Sequence, residues 1–419
     1  MPRLYSVNMI SAMTDNTKRV VVTGLGVVSA VGIGKERFWE AITKGKSGIS
    51  EISLFDASGF KCRYGGEVKN FRPEEFIPKR RLKFLGRASQ LAIVASLLAL
   101  EDANLSVKSL PKIKTSVAIG TTMGERPLEE LVLIWARGGL KEIDRQRIMQ
   151  ASVNNLSANV ALYFNAQGQN YLFPTACAAG NYAIGYGFDL IRAGEIDYVL
   201  AGGSDVFSYI AFVGFQSIYA MAAEKCRPFD KNRKGMMLGE GSGMVLLERL
   251  DLALKRNADI YAEISGYGLS CDAYHATAPD SNGIARAMDK ALKETGLTYH
   301  DVDYICAHGT GTPMNDKVEC QAIKQFLKER SKEVPVSSIK SMLGHPMGAA
   351  SAIEAIACCL AVKQDKIPPT VNFETPDPEC DIDCVPNTSR KKKVNVALNN
   401  GFAFGGNNSC LVLKKIASR

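Results

Sequence analysis

One cysteine and two histidines stand in settings where they could do chemistry. Cys177 lies in Thr175-Ala176-Cys177-Ala178-Ala179-Gly180, between an apolar run that ends at Pro174 and reads as a strand and a helix that begins near Ala178. At such a turn the unpaired N–H groups and the helix dipole favour a thiolate, so the position predicts a thiol pKa below the free value of about 8.5. The small neighbours leave room for an acyl group. A buried structural cysteine is the ordinary alternative for any one of the 11 cysteines. His308 follows an apolar strand and precedes Gly309-Thr310-Gly311-Thr312-Pro313, and His345 sits in Gly344-His345-Pro346-Met347-Gly348 ahead of an Ala-rich helix. Both fall on loops beside regular elements, and His308 is at a strand end, where α/β active sites lie. A satisfied structural role is the usual one for a lone histidine. His300, in a polar linker, reads as exposed.

Lys340 precedes His345 by five residues, and Glu354 lies fourteen beyond Lys340 on the following helix. The two could fix the orientation of one imidazole, or be unrelated surface charges. Gly401-Phe402-Ala403-Phe404-Gly405-Gly406-Asn407-Asn408 follows another strand. Its glycines permit backbone approach to a ligand and positive φ, and its phenylalanines could wall an apolar pocket. Gly24-Leu25-Gly26 lacks the third glycine and the acidic residue of a dinucleotide fingerprint, and no phosphate-binding Gly-x4-Gly-Lys loop exists, so no nucleotide cofactor is expected. Cys358-Cys359 and Cys380-x3-Cys384 lack zinc spacing, so no structural metal is expected either.

The elements that must carry these residues alternate. Short apolar strands are predicted at Arg19–Thr23 (turning at Gly24-Leu25-Gly26), Ser116–Ile119, Tyr198–Ala201, Met244–Leu247, Tyr304–Ala307 and Val394–Leu398. Helical periodicity covers Ala88–Asp102, Ile184–Ala193, Ile284–Glu294 and Ala349–Val362. This alternation predicts an α/β protein with mainly parallel sheets. Helix, strand and Gly-Thr turn recur in the same order at 99–122 and 291–310, which suggests a duplicated architecture divided near Asp259.

Composition bounds the rest. The 419 residues are 46% hydrophobic and 22% charged, within the globular range. The net charge of +8 is scattered, with small clusters at Lys79-Arg80-Arg81 and 390–393. No aromatic interleaving or zinc motif accompanies them, so nucleic acid is not expected. A solvated surface or a dock for an acidic protein partner remains. Free thiols in a reducing cytoplasm are the expectation from the odd cysteine count and the lack of a secretory pattern. The longer apolar runs fall short of a membrane span. Residues 1–18 are expected to be a poorly ordered extension, with Met13 a second plausible start.

Together the motifs resemble those of the β-ketoacyl-acyl carrier protein synthases, specifically the type II elongating condensing enzymes. The resemblance runs from Arg19 to Lys415 through Val21-Val22-Thr23-Gly24-Leu25-Gly26, Thr175-Ala176-Cys177, Arg227-Pro228-Phe229-Asp230-Lys231, Gly239-Glu240-Gly241-Ser242-Gly243, Ala307-His308-Gly309-Thr310-Gly311-Thr312, Lys340-Ser341-Met342-Leu343-Gly344-His345 and Phe404-Gly405-Gly406. It implies a thiolase-like, duplicated five-layer α-β-α-β-α fold. The first half, 19–258, would carry the nucleophile, and the second, 259–415, both histidines. The implied reaction is decarboxylative Claisen condensation of malonyl-acyl carrier protein with an acyl chain held on Cys177, in fatty-acid or specialised lipid or polyketide synthesis, with no cofactor.

By the same resemblance His308 and His345 promote decarboxylation and Lys340 with Glu354 organises the site. Cys177 and Phe404 supply oxyanion-hole N–H groups, Phe404 also acting as the gate. Thr310 and Thr312 hold the pantetheine arm, Phe402 contacts substrate, and Met123 lines the acyl tunnel. Lys79, Arg80, Arg81, Lys225 and Arg227 are candidates for docking an acidic acyl carrier protein. A cytoplasmic homodimer is implied. The His-His pair separates the chain from initiating synthases, which pair His with Asn, and from thiolases, which add a second cysteine. An intact Cys177 argues against the alternative of a silent, chain-length-factor-like subunit. Two departures stand out: Ala403 and Asn407 replace a glycine and a threonine usual at the gate, where a Cβ at 403 is expected to stiffen the backbone. The segment Gly124–Gln150, with Glu125-Arg126, also diverges.

Overall fold

The computed structural model describes residues 18–125, 128–143, 148 and 150–416. The expected extension with Met13, and Arg126 of the divergent segment, lie outside the described residues.

The first strand, β1 (Val20–Ser29), is ten residues long and buried throughout. It runs straight through Gly24-Leu25-Gly26, where the sequence suggested a turn, with only a register irregularity between Val22 and Gly24. The glycines serve packing instead. A Cβ at Gly24 would lie 2.0 Å from Ala99 O and one at Gly26 1.7 Å from Ala95 O, so they let helix α1 (Arg87–Asp102) lie directly on the strand.

The other main strands of the large sheet are β2 (Thr115–Gly120), β3 (Asn170–Phe173), β4 (Tyr198–Asp205), β5 (Gly241–Arg249), β6 (Ala262–Cys271), β7 (Tyr304–Cys306), β8 (Val336–Ser337), β9 (Val396–Phe402) and β10 (Asn407–Lys414). They form one hydrogen-bonded path in the order β3-β2-β4-β5-β1-β6-β10-β9-β7-β8, with the short strand Gly32–Ile33 paired to β1. The path contains the same arrangement twice: each strand of β1 to β5 has its counterpart five numbers later. Directions repeat as well. β2 is parallel to β3 and β4, and β7 to β8 and β9, while the remaining neighbours are antiparallel. The halves meet where β1 and β6 pair antiparallel, Val21 opposite Glu263. The sheet is therefore mixed rather than mainly parallel. One reason is visible between β9 and β10, whose connection at residues 403–406 is too short for anything but a reversal.

Helices complete a thiolase-like five-layer α-β-α-β-α fold. On one outer face α1 packs on β1, β5 and β4; on the other α3 (Ser281–Lys293) packs on β6 and β10, with α4 (Pro313–Leu327) beside it. Between the two halves of the sheet, α2 (Ala179–Arg192) and α5 (Ala350–Gln364) pack on each other. Residues 350–362 of α5 are all buried, Ser351 and Glu354 among them, in a helix otherwise apolar on every side. Met347–Gln364 has the length and apolarity of a membrane-crossing helix, but 89% of it is buried inside the protein. Apolar clusters fill the centre (Val27, Val245, Ile353, Ile356) and both outer layers (Ile93, Ile119, Leu246; Met288, Ile305, Val412).

Candidate active site

The chemistry-bearing residues all follow C-terminal ends of strands. Cys177 comes after β3 in a 3-10 turn, Ala176–Ala178, that leads into α2. His308 follows β7. Lys340 and His345 follow β8, Lys340 opening the short helix Lys340–Leu343. Phe402 ends β9, and Phe404 opens the turn Phe404–Gly406. The fold brings these strand ends from both halves around one cavity of about 510 Å3, lined by Cys177, His308, His345, Thr310, Thr312, Phe402 and Phe404 among others. The Cys177 sulfur and one ring nitrogen of each histidine lie within 4.8 Å of one another. These are also donor types that zinc takes, and no other such group of three meets among the described residues.

The histidine rings stand edge to face, their centroids 5.3 Å apart at 79°. His345 Nδ1 accepts the Met347 N–H at 3.2 Å, so a neutral ring carries its proton on Nε2. His308 is set by its backbone: its N–H and that of Gly309 donate to the two oxygens of Glu319 on α4, at 2.8 and 2.7 Å. Burial and then the Lys340 charge hold both imidazoles well below the ordinary value, with His345 adding to the effect on His308. Both are neutral at pH 7.

Lys340 and Glu354 form an ion pair with side chains 1% and 2% exposed. Burial pushes the Glu354 carboxyl up to about 7 against the pull of Lys340, and its Oε2 has no hydrogen-bond partner. The Cys177 thiol is also pushed up, to about 12. This overturns the low pKa expected from its place before a helix. Burial of the sulfur is the largest influence, Asp205 and Glu354 add to it, and Lys340 only partly offsets them. At pH 7 Cys177 is therefore a thiol.

The Thr310 and Thr312 hydroxyls are hydrogen bonded to each other at 2.9 Å on the cavity wall. Phe404 is 46% exposed and lies 5.9 Å from Phe215 between ring centroids, while Phe402 is buried 5.6 Å from His308. Ala403 sits at φ −132°, ψ 154°, extended backbone that any residue adopts, so its Cβ brings no strain. Met123 does not line this cavity. It packs in an apolar cluster with Phe207, Phe212, Leu238 and Met347, of which Met347 reaches the cavity.

The basic candidates separate. Lys79, Arg80 and Arg81 are exposed on the one-turn helix Lys79–Leu82, Arg81 lying over the Tyr163 ring. Lys225 is exposed and Arg227 pairs with Glu374 at 2.6 Å; between them Cys226 donates to Thr310 O on the cavity wall.

Sequence reasoning missed Glu319 and Asp205. Both are wholly buried and accept backbone N–H groups from loops around the cavity. Glu319 falls on the buried face of α4 together with Asp316, and that placement of two carboxylates was a usable signal. The loop with His275, Thr277 and Pro279, which lines the mouth, carried none.

The chain is similar to known proteins. Residues 17–253 match the family model "Beta-ketoacyl synthase, N-terminal domain" and residues 261–374 "Beta-ketoacyl synthase, C-terminal domain". The chain is 43% identical to a protein of Synechocystis sp. named 3-oxoacyl-acyl-carrier-protein synthase 2, covering 95% of this chain and 98% of that one. It is 38% identical to its namesake from Coxiella burnetii, covering 95% and 99%. Among solved structures, the ishigamide ketosynthase/chain length factor superposes with a TM-score of 0.92 at 42% identity, covering 95% and 99%. A type II polyketide ketosynthase bound to its acyl-carrier protein and a hexaketide gives 0.87 at 34% identity, with the same coverage.

Proposed function

Because the chain belongs to the β-ketoacyl synthase family, we propose that it catalyses decarboxylative Claisen condensation of malonyl-acyl carrier protein with an acyl chain held as a thioester on Cys177, in fatty-acid or specialised lipid or polyketide synthesis. The observation that carries this reading is the convergence of the Cys177 sulfur with His308 and His345 on one cavity.

In the first step the Cys177 sulfur attacks the carrier-bound acyl thioester. Its proton ends on the departing pantetheine thiol, and the neutral imidazole of His308 is at hand to relay it, since the Nδ1 of His345 already accepts the Met347 N–H. In the second, malonyl-carrier protein loses CO2, leaving an enolate. The Nε2–H of His345, and the N–H of His308, stabilise the oxygen where charge develops. The carbanion attacks the acyl-Cys177 carbonyl. Cys177 and Phe404 lie in the first turns of 3-10 helices, where N–H groups have no intrahelical partner, and would hold the oxyanion. Collapse releases 3-oxoacyl-carrier protein and the thiolate of Cys177, which takes one proton from solvent, the proton consumed overall when CO2 is lost. Lys340 and Glu354 keep the charges around the histidines fixed, and Thr310 and Thr312 bind the pantetheine arm.

On this reading residues 19–258 form the half with the nucleophile and 259–415 the half with the histidines, and the enzyme works in the cytoplasm. A homodimer is supported by β3, an end strand of the sheet with Tyr171 38% exposed, and by Leu162, 76% exposed on the preceding helix. A monomer in sedimentation would oppose it.

Incubation with both loaded carrier proteins should yield ketoacyl product and CO2, and Cys177→Ala should abolish both. Mass spectrometry should find the acyl group on Cys177. A chain that gains no acyl mass would instead be a silent carrier-binding subunit.

A further inference from the structure

The repeated topology pairs each element of one half with one in the other, and two contacts fix the register. A Cβ on Gly203 of β4 would meet Ala349 Cα at 3.0 Å, and one on Gly401 of β9 would meet Ala178 Cα at 3.4 Å. Each half thus presses the same strand position onto the other half's turn, so Ala176-Cys177-Ala178 corresponds to Met347-Gly348-Ala349. The backbones agree: Ala176 has φ 49° and Met347 φ 48°, a left-handed conformation uncommon for residues other than glycine.

Where one turn has Cys177, the other has Gly348, whose N–H is occupied. It donates to Asp205 Oδ2 at 2.6 Å. The same carboxylate accepts from Thr122 N at 2.7 Å, Met123 N at 2.9 Å and Thr121 Oγ1 at 2.7 Å. Asp205 is wholly buried, and among the described residues four N–H and O–H donors rather than a cation satisfy it. An internal carboxylate therefore sits on the turn amide whose counterpart, at Cys177, is assigned to an oxyanion. A strained residue such as Met347 persists only where its surroundings hold it. The anchor on its C-terminal side is Asp205; on its N-terminal side, its own N–H is the donor to His345 Nδ1.

We propose that Asp205 is a positioning residue: its carboxylate pins the Gly348 amide, keeps Met347 left-handed, and so holds the Met347 N–H on His345 Nδ1, leaving the His345 proton on Nε2. The kinetic consequence rests on the condensation proposed above, but the tautomer does not.

The test is nitrogen-15 NMR of the full-length protein labelled at its four histidines, with His345 assigned by its loss in His345→Ala. Wild type should show the Nε2–H tautomer at His345. Asp205→Ala frees the Gly348 amide, and the Nδ1–H form should appear. Malonyl decarboxylation should then fall about tenfold or more, as expected for a mispositioned imidazole, while acylation of Cys177 should not fall, because that step needs no His345 donor on an enolate and loss of the Asp205 charge can only lower the thiol pKa. Asp205→Asn retains an oxygen for Gly348 and Thr122 and can turn its amino group to the Thr121 hydroxyl, losing only the bond from the Met123 N–H, so with the Gly348 amide still pinned it should restore the Nε2–H form. An Nδ1–H wild type, or an Asp205→Ala protein with unchanged tautomer, overturns the proposal. If Asp205→Ala does not fold, the wild-type and Asp205→Asn spectra decide, since both must show Nε2–H. A tautomer shift in a protein that never acylates Cys177 would uphold this inference and refute the condensation.

Discussion

The imidazoles of His308 and His345 meet edge to face with centroids 5.3 Å apart, both buried and both neutral. As N–H donors they need no added proton, so their chemistry should not follow the ordinary histidine titration. Between about pH 8 and about pH 6 the only inflection expected in malonyl decarboxylation is that of the Glu354 carboxyl, pushed up to about 7, and it should vanish in Glu354→Gln; an inflection near 6.5 that survives in that variant would contradict the neutral pair.

The same depression has a stability consequence. Below about pH 6.5 the unfolded chain binds protons at these histidines that the folded protein refuses, so their contribution is complete above that pH and declines as pH falls toward the lower folded value. The unfolding free energy of wild type minus that of His345→Gln should therefore shrink between about pH 7 and 5. A constant difference in urea titrations would show that His345 is not held neutral.

Alkylation gives a direct reading of Cys177. With its thiol pushed up to about 12, the free enzyme should react slowly with iodoacetamide at neutral pH, at a rate that climbs through about pH 9 without a plateau. A plateau near pH 7 at the site of labelling would restore the low-pKa thiolate suggested by the sequence.

Lys340 and Glu354 should fail singly and survive jointly. Removing one partner leaves the other charged or unpaired in a dry interior, so Lys340→Met or Glu354→Leu alone should each cost about 3–5 kcal/mol. The double substitution should cost less than the sum, as a double-mutant cycle in denaturant will measure, and additive losses would mean the two act independently.

At the gate, Gly405 has φ 81° and donates its N–H to Ala276 O at 2.8 Å. Gly405→Ala should destabilise this turn by about 1–2 kcal/mol and slow acylation of Cys177, whereas Ala403→Gly should change stability by under about 1 kcal/mol. Equal effects at both positions would remove the backbone argument.

Charge reversal distinguishes the basic clusters. Lys225→Glu, next to the cavity wall, and the double change Lys79→Glu with Arg80→Glu should each raise the KM for carrier-bound substrate severalfold, more at low salt, with kcat little changed. A KM insensitive to both salt and charge would exclude docking there.

Much of this molecule could be read before any coordinates. Apolar runs located the strands at Thr115, Tyr198 and Gly241 because buried strands are continuous in sequence. The small-residue turn at Cys177, the Gly-flanked histidines and the 99–122 and 291–310 echo are likewise local patterns. Other features were settled only by packing. The glycines of β1 looked like a turn until α1 was seen lying on them, since the need for glycine came from another element's backbone. The thiol pKa reversed sign because the loss of water around a sulfur depends on every neighbour, whereas the helix turn that lowers it is local. Asp205 was invisible because its donors come from residues 121–123 and 348, brought together only when two halves of one chain close on each other. Sequence order thus fixes which groups exist and which turn each occupies; which groups share a charge, a proton or a dry space is decided by tertiary contact, because electrostatics and solvation act through space and not along the chain.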